Sequence, residues 1–312
     1  MKLAIAVVGA LSALCAPALA QPAGKDGEVV ERARVEVAPA GHPFTQIAVD
    51  NPLGDVRVEG YDGQTIRIET HKHAPDEDTL DRLRVSLVPN PDGTVRIATS
   101  ADQTRESRPV PSSAVRIDLV IRAPRNAKVD ASVVSGKLEM EGMDAGGELD
   151  AASGPISVKN VSGEVWTHSV SGATSLVQVF GSVDAATVSA DVDLDTIGGE
   201  RLVASVHRGR IAGRRVRVRD VELTTTEGKI LLEAEAALHG RFVISSLRGD
   251  VELRLHRHGP IIVRGAGTKV ELGAPAHPLP DGWMMSSFGT GDQPAIVEMR
   301  SRYGMVQFVA ID

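Results

Sequence analysis

The chain has 312 residues, a formal charge of −7, a single cysteine and only 3% aromatic residues. An acidic chain is not built as a general nucleic-acid binder. One cysteine cannot supply disulfides, and so few aromatics argue against a polysaccharide-cleaving groove.

Lys2, the apolar run Leu3 to Leu14 and the A-x-A site Ala18-Leu19-Ala20 before Gln21 predict an export signal over residues 1–20. The run is too short to span a bilayer, and no later stretch is long enough. Cys15 lies inside the signal, and Leu14 is too large for the position before a lipidated cysteine. Removal of the signal takes the charge from −7 to −8 with Lys2. Stability must then come from burial and backbone ladders.

Residues 21–44 read as a polar, partly disordered lead-in. Residues 45–128 read as irregular β coils. Ile47/Val49, a corner at Gly54 and Val56/Val58 open them, and Ile66/Ile68 form a further alternating strand. Residues 71–82 break the pattern as a loop with room for a short helical turn. Pro91-Asp92-Gly93 is a hairpin or coil turn between Val85/Leu87 and Val95/Ile97. Residues 101–113 form a polar loop, Val115 to Ile121 a long strand, and Ala123 to Asn126 a turn into the regular part.

Residues 129–265 carry the strongest signal. Small-residue corners recur at Gly136, Gly154, Gly172, Ala190, Gly209, Gly228 and Gly249, at spacings of 18, 18, 18, 19, 19 and 21. Apolar pairs follow each corner by two and four residues, as in Leu138/Met140, Val192/Leu194 and Val251/Leu253. A second set precedes it by seven and five, as in Val129/Ala131, Leu202/Ala204 and Phe242/Ile244. Period-two strands joined by a tight corner at a fixed interval predict an all-β, single-stranded parallel β-solenoid of about 18-residue coils. Stacked strands lie about 4.8 Å apart, so like positions form ladders. Glycine at a corner supplies conformations that a side chain would penalise. One coil buries about four apolar side chains at roughly 1.5–3 kcal/mol each, against about 1–2 kcal/mol per residue for ordering its backbone. A coil therefore depends on its neighbours.

In residues 266–312 the regularity fades. The stretch 272–294, with Trp283, Met284, Met285 and Phe288, reads as a cap over the end of the stack. A last coil follows: Val297/Met299, corner Gly304, Val306/Phe308.

The export signal, the stretch NPLGDVRVEGYDG, the entry VRIDLVIRAPRNAKVDASVVSG and the serial SG-x-apolar-x-apolar corners resemble a bacterial domain-of-unknown-function family of β-strand-repeat proteins, often labelled as candidate adhesins. The resemblance covers roughly residues 45–312. It implies a right-handed β-solenoid in the cell envelope or outside it, and brings no catalytic residues.

Several groups can carry chemistry. Asp191, Asp193 and Asp195 alternate onto one strand face, as an inverting glycosidase pair or a weak calcium site would require. Aligning Ala190 with Gly209 sets Asp191 beside Arg210 and Asp195 beside Arg214, which reads instead as a cross-strand charge ladder. Lys229 and Asp250 repeat that arrangement. The basic residues Arg208, Arg210, Arg214, Arg215, Arg217 and Arg219 are the candidate patch for an anionic partner, although they also fit a solvated face. His71/His73 and His256/His258 are H-x-H pairs of the zinc or copper type without a distinctive third ligand. His168-Ser169 lacks a nucleophile elbow, and the SG corners lead into strands, not into a phosphate-binding helix. Trp166 faces outward, to meet a partner or to cover a neighbouring strand.

These features predict an exported protein, periplasmic, on the outer surface or secreted. It acts as an adhesin-like binding or structural surface, not an enzyme, with no catalytic residue, metal or cofactor. Its partner is an envelope polymer, glycan or protein surface, not nucleic acid, and it has no transmembrane span. The alternatives are a polysaccharide-active enzyme and a self-assembling envelope scaffold.

Overall fold

The computed structural model describes residues 28–39, 41–102 and 114–311 with their side chains. Of residues 1–27 it describes only the backbone of three short strands, Ile5–Val7, Ala13–Cys15 and Leu19–Gln21. The expected export signal lies outside the residues described with side chains, and so does most of the expected polar loop before Val115. The chain forms two compact units, Met1–Ile156 and Ser157–Asp312. Among the described residues, no helix is long and apolar enough to cross a membrane.

The first unit contains two sheets. In one, Val29–Val37, Ile66–Ala74, Arg116–Pro124, Val56–Tyr61 and Leu138–Glu141 lie side by side, the first two junctions antiparallel and the rest parallel. In the other, the order is Leu83–Pro89, Thr94–Ala101, Gln46–Asn51, Lys128–Val133 and Gly147–Ala151, with only the first junction antiparallel. A purely parallel stack is thus corrected at this end. The hairpin at Pro91-Asp92-Gly93, with Gly93 at φ +86°, folds its strands back on each other. The strand Arg116–Pro124 returns between two earlier strands. Buried Asn51 pins that return, its Nδ2 donating to the Ile117 carbonyl at 2.8 Å and to the Asp55 carbonyl at 3.2 Å.

Two further expectations are corrected here. Within the lead-in, Val29–Val37 is a nine-residue strand that buries Ala33, Val35 and Val37 on alternate positions. Its Glu31 holds the Lys72 ammonium at 2.9 Å, and both side chains are shielded from solvent. The strand Ile66–Ala74 runs through His71 and His73, well into the expected loop. Only the helical turn Glu77–Leu80 follows it, capped by Asp76, which accepts from the Thr79 amide at 2.7 Å.

The second unit is the more regular. Its first face sets Val165–Ser169, Val183–Thr187, and the later parts of the 17-residue strands Val192–Arg208 and Ile211–Glu227, in parallel, followed by Arg241–Arg248. Val165 lies opposite Val183, Val183 opposite Leu202, Leu202 opposite Val221, and Val221 opposite Phe242, so the apolar column is continuous. Its second face sets Thr174–Phe180, the early parts of the two long strands, Ile230–Glu235 and Val251–His256 in parallel. The columns named from sequence are all buried there, from Val192 and Leu194 to Val251 and Leu253.

The end of this unit is not stacked in chain order. The last coil, Ala295–Ser301 with Met305–Ile311, lies between Arg241–His256 and the earlier Ile261–Glu271. Met284–Phe288 then runs antiparallel along Ile261–Gly265, and the Phe288 ring packs against Phe308 at 5.3 Å. The short strand His277–Pro278 pairs antiparallel with Met284 and Met285 on the outside, and an edge that carries Pro278 is a poor template for further pairing.

The corner glycines have a sharper cause than conformational freedom alone. A Cβ on Gly209 would sit 2.2 Å from the Ala190 carbonyl oxygen, and one on Gly228 1.8 Å from that of Gly209. Gly249 repeats this over Gly228 at 2.0 Å. Each corner backbone fills the space of its neighbour's missing side chain. Thr225, Ser246 and Ser301 complete the column, donating to the carbonyls of Gly209, Gly228 and Gly249 at 3.3, 3.3 and 2.7 Å.

Candidate functional site

On the second face and the bend beyond it, the outward residues form an ion-pair ladder. Arg210 donates to Asp191 from its backbone amide at 2.8 Å and to Asp193 from its guanidinium at 2.9 Å. Arg214 meets Asp195 at 3.0 Å, and Arg215 holds the same carboxylate from its other side. Arg217 meets Glu235 at 2.6 Å, and Arg219 meets Glu200 at 2.9 Å and Asp220 at 3.1 Å. Arg217 holds the Glu235 carboxyl below its ordinary range. Lys229 and Asp250 pair at 3.5 Å. Of the six arginines proposed for an anionic partner, five are thus engaged by carboxylates. Among the described residues Arg208 has no carboxylate partner and donates to the Ser189 hydroxyl at 3.3 Å. The run is exposed but locally neutralised. Its main physical effect is to fix register between neighbouring strands.

The same contacts bear on the aspartate row. Asp191, Asp193 and Asp195 do alternate outward from one strand, but each is occupied by an arginine of the next. The H-x-H pairs are likewise drawn to carboxylates: His73 lies 3.4 Å from Glu28, His256 3.6 Å from Glu233 and His258 3.7 Å from Glu235. Among the described residues, no group of three or more His, Cys, Asp or Glu is arranged to hold a metal ion.

The bend was not legible from apolar spacing. Asn160, Gln178, Thr196 and Arg215 all have φ between 51 and 59°, one above another at the same point of successive coils. This left-handed step turns the chain, so Arg214 and Arg215 are both exposed while Val216 is buried. A further buried column, Val161, Val179, Ile197 and Val216, lies just past it.

The first face is different. In register across five strands its outward residues are Trp166, Asp184, Val203, Glu222 and Val243. Beside them run Arg201, Asp220 and Arg241, and on the other side Ala186, Ser205, Thr224 and Ser245. Asp220 is drawn sideways by Arg219 at 3.1 Å. Among the described residues, Arg201, Arg241, Asp184 and Glu222 make no direct ion-pair contact, although Arg201 acts on Asp184 at longer range. Arg201, Glu222 and Arg241 line an open, mainly polar groove of about 200 Å³ together with Val203 and Asp220, and Asp184 stands beside it, next to Val203 in register. Burial raises the Asp184 carboxyl above its ordinary range, opposed by Arg201 and reinforced by Glu222. Trp166 remains 47% exposed at the edge of this array. Sequence reasoning placed Trp166 outward but missed the unpaired charges, because pairing is decided between strands some 19 residues apart.

Hollows also lie elsewhere. One of about 280 Å³ on the second face, beside Gly213 and Leu232, is mainly apolar, and its Arg254 pairs with Glu252 at 2.8 Å. One of about 550 Å³ in the first unit lies between Pro39, His42, Phe44, Pro124 and Asn126.

Among solved structures, the chain is similar to a "putative lipid binding protein" from Parabacteroides distasonis ATCC 8503, at 12% identity and a TM-score of 0.47, covering 93% of this chain and 98% of that one. It is also similar to a "putative adhesin" from Parabacteroides merdae ATCC 43184, at 12% identity and a TM-score of 0.43, covering 92% and 98%. Likeness at this level says nothing of a ligand. No curated protein matches the chain. Residues 44–269 match the family model Toastrack DUF4097, and with most of its repeat covered the chain belongs to that family.

Proposed function

We propose that this protein is an exported, non-catalytic β-solenoid, right-handed and of about 18–19-residue coils. It serves as an adhesin-like binding surface in the cell envelope, in the periplasm, on the outer surface or in the medium. One observation carries the reading. The second face of the Ser157–Asp312 unit uses its charges on itself, whereas the first face leaves Arg201, Arg241 and Glu222 without a direct ion pair around an open groove, with Asp184 beside it. Unpaired charges beside an exposed tryptophan cost stability or gain none, and contact with a partner gives them a role. The ion-paired aspartates support a surface rather than a hydrolytic centre, since a general acid must be free to hold and release its proton. A stack of this kind also lets outward residues vary coil by coil without disturbing the interior.

Co-sedimentation of the purified protein with separated peptidoglycan, outer-membrane and inner-membrane fractions tests the reading. The expected result is salt-sensitive binding to one fraction that survives Arg214→Ala/Arg215→Ala/Arg217→Ala, because those arginines are already neutralised. Failure to bind any fraction overturns it in favour of self-assembly, which light scattering after size exclusion would show as mass rising with concentration.

A further inference from the structure

We propose that the first face of the Ser157–Asp312 unit binds a carboxylated glycan, with Arg201 and Arg241 taking its carboxylates, Asp184 and Glu222 accepting from its hydroxyls, and Trp166 stacking against a sugar ring. The inference rests on the binding-surface reading above and names the ligand class and the residues.

Arg201 and Arg241 stand on strands separated by one other, each in register with Asp220 between them. Two strand spacings separate them by about 9.6 Å. One spacing is close to the length of a pyranose unit in an extended glycan. In a chain with two-fold symmetry, carboxylates on the same side recur every second sugar, so their period matches that of the two guanidiniums. Guanidinium is suited to planar carboxylates because its donors form a fixed fork. Asp220 does not compete for them, being held by Arg219 at 3.1 Å.

The remaining residues separate a glycan from other anions. A lipid headgroup or a nucleotide carries its few hydroxyls around one anionic group, whereas Asp184 and Glu222 stand two strands apart, about 9.6 Å. A polyhydroxylated chain supplies donors at every ring. Asp184 lies directly opposite Trp166, so a sugar on the indole face presents its hydroxyls to that carboxylate. Beyond His168, which stands next to Trp166 on the same strand, Ala186, Ser205, Thr224 and Ser245 keep the neighbouring column low, with the Thr224 and Ser245 hydroxyls 3.2 Å apart. A long polymer can therefore lie across the strands from Asp184 onward.

The test is isothermal titration of the full protein with an oligogalacturonate, its methyl ester and phosphatidylglycerol vesicles. Binding of the oligogalacturonate, loss on esterification and about a hundredfold weakening in Arg201→Gln/Arg241→Gln support the proposal, provided circular dichroism shows that variant folded. Trp166→Ala should weaken binding by about tenfold, and Arg214→Gln/Arg215→Gln should leave it unchanged. Preference for the vesicles, no binding of the oligogalacturonate, or undiminished binding in the double variant overturns it. If envelope co-sedimentation persists in Arg201→Gln/Arg241→Gln, the binding-surface reading stands and this site fails. If no fraction binds the native protein, both fail.

Discussion

Replacing Gly228 by alanine tests the stacking argument at one of its tight corners. The added Cβ would lie 1.8 Å from the Gly209 carbonyl oxygen and 2.6 Å from its carbon. Both atoms are backbone, held in turn by the ladder below, so neither can swing away as a side-chain tip would. Overpacking of this kind costs about 1–3 kcal/mol. Gly228 also has φ +156°, outside the usual range of an alanine, and relieving the contact by moving that torsion would break the Gly228 amide's 2.8 Å bond to the Arg248 carbonyl. The substitution should therefore cost about 2–4 kcal/mol in all. Urea denaturation followed by circular dichroism measures it. Gly282→Ala is the control, because Gly282 also has positive φ (+83°) but nothing lies within 4 Å of its added Cβ. It should cost about 1 kcal/mol. If the two variants unfold at the same urea concentration, close approach between corners is not what selects glycine.

Three further perturbations follow from the second unit. Asp195→Ala removes the carboxylate shared by Arg214 and Arg215; since both arginines are largely exposed, the loss should be about 1 kcal/mol and should shrink in 1 M salt by thermal denaturation. Thr187→Val should stabilise by about 1 kcal/mol in the same assay, because the buried Thr187 hydroxyl has no hydrogen-bond partner among the described residues and the next coil already carries Val206 in register. Asp184→Asn addresses charge. Burial, with Glu222 adding to it and Arg201 opposing it, raises the folded Asp184 carboxyl above its unfolded value of about 3.9. Between those two values the folded state holds more protons, so stability falls as pH rises through that window. The amide should therefore be more stable than the native protein at neutral pH, with the gain vanishing below the unfolded value. A gain that persists unchanged in acid would refute the desolvation argument.

What the sequence makes legible is whatever depends on residues close together in the chain. Val192/Leu194, Ile230/Leu232 and Phe242/Ile244 alternate over a few residues, and each column is buried. The pairing of Asp191 with Arg210 and of Asp195 with Arg214 follows once the period is known, because register converts chain spacing into contact. The ends are less legible. Insertion of the Ala295–Ile311 coil before Ile261–Glu271 changes stacking order without changing any residue's alternation. The strand Val29–Val37 alternates clearly only over its second half and carries four charged residues, which made it read as solvent-facing lead-in. The left-handed step at Gln178, Thr196 and Arg215 is equally hidden, since none of these is glycine. The candidate groove was least visible of all, because an unpaired arginine looks like a paired one until the neighbouring strands are known.

Hydroxyl-radical footprinting with and without the bound envelope fraction tests the central claim most directly. Trp166, on the first face, is 47% exposed, and Tyr303, outside that column, is 58% exposed; both side chains are oxidised readily. The account predicts that the envelope fraction protects Trp166 together with Val203 and Val243, and leaves Tyr303 as reactive as in the free protein. Protection of Tyr303 alone, with Trp166 unchanged, would contradict it.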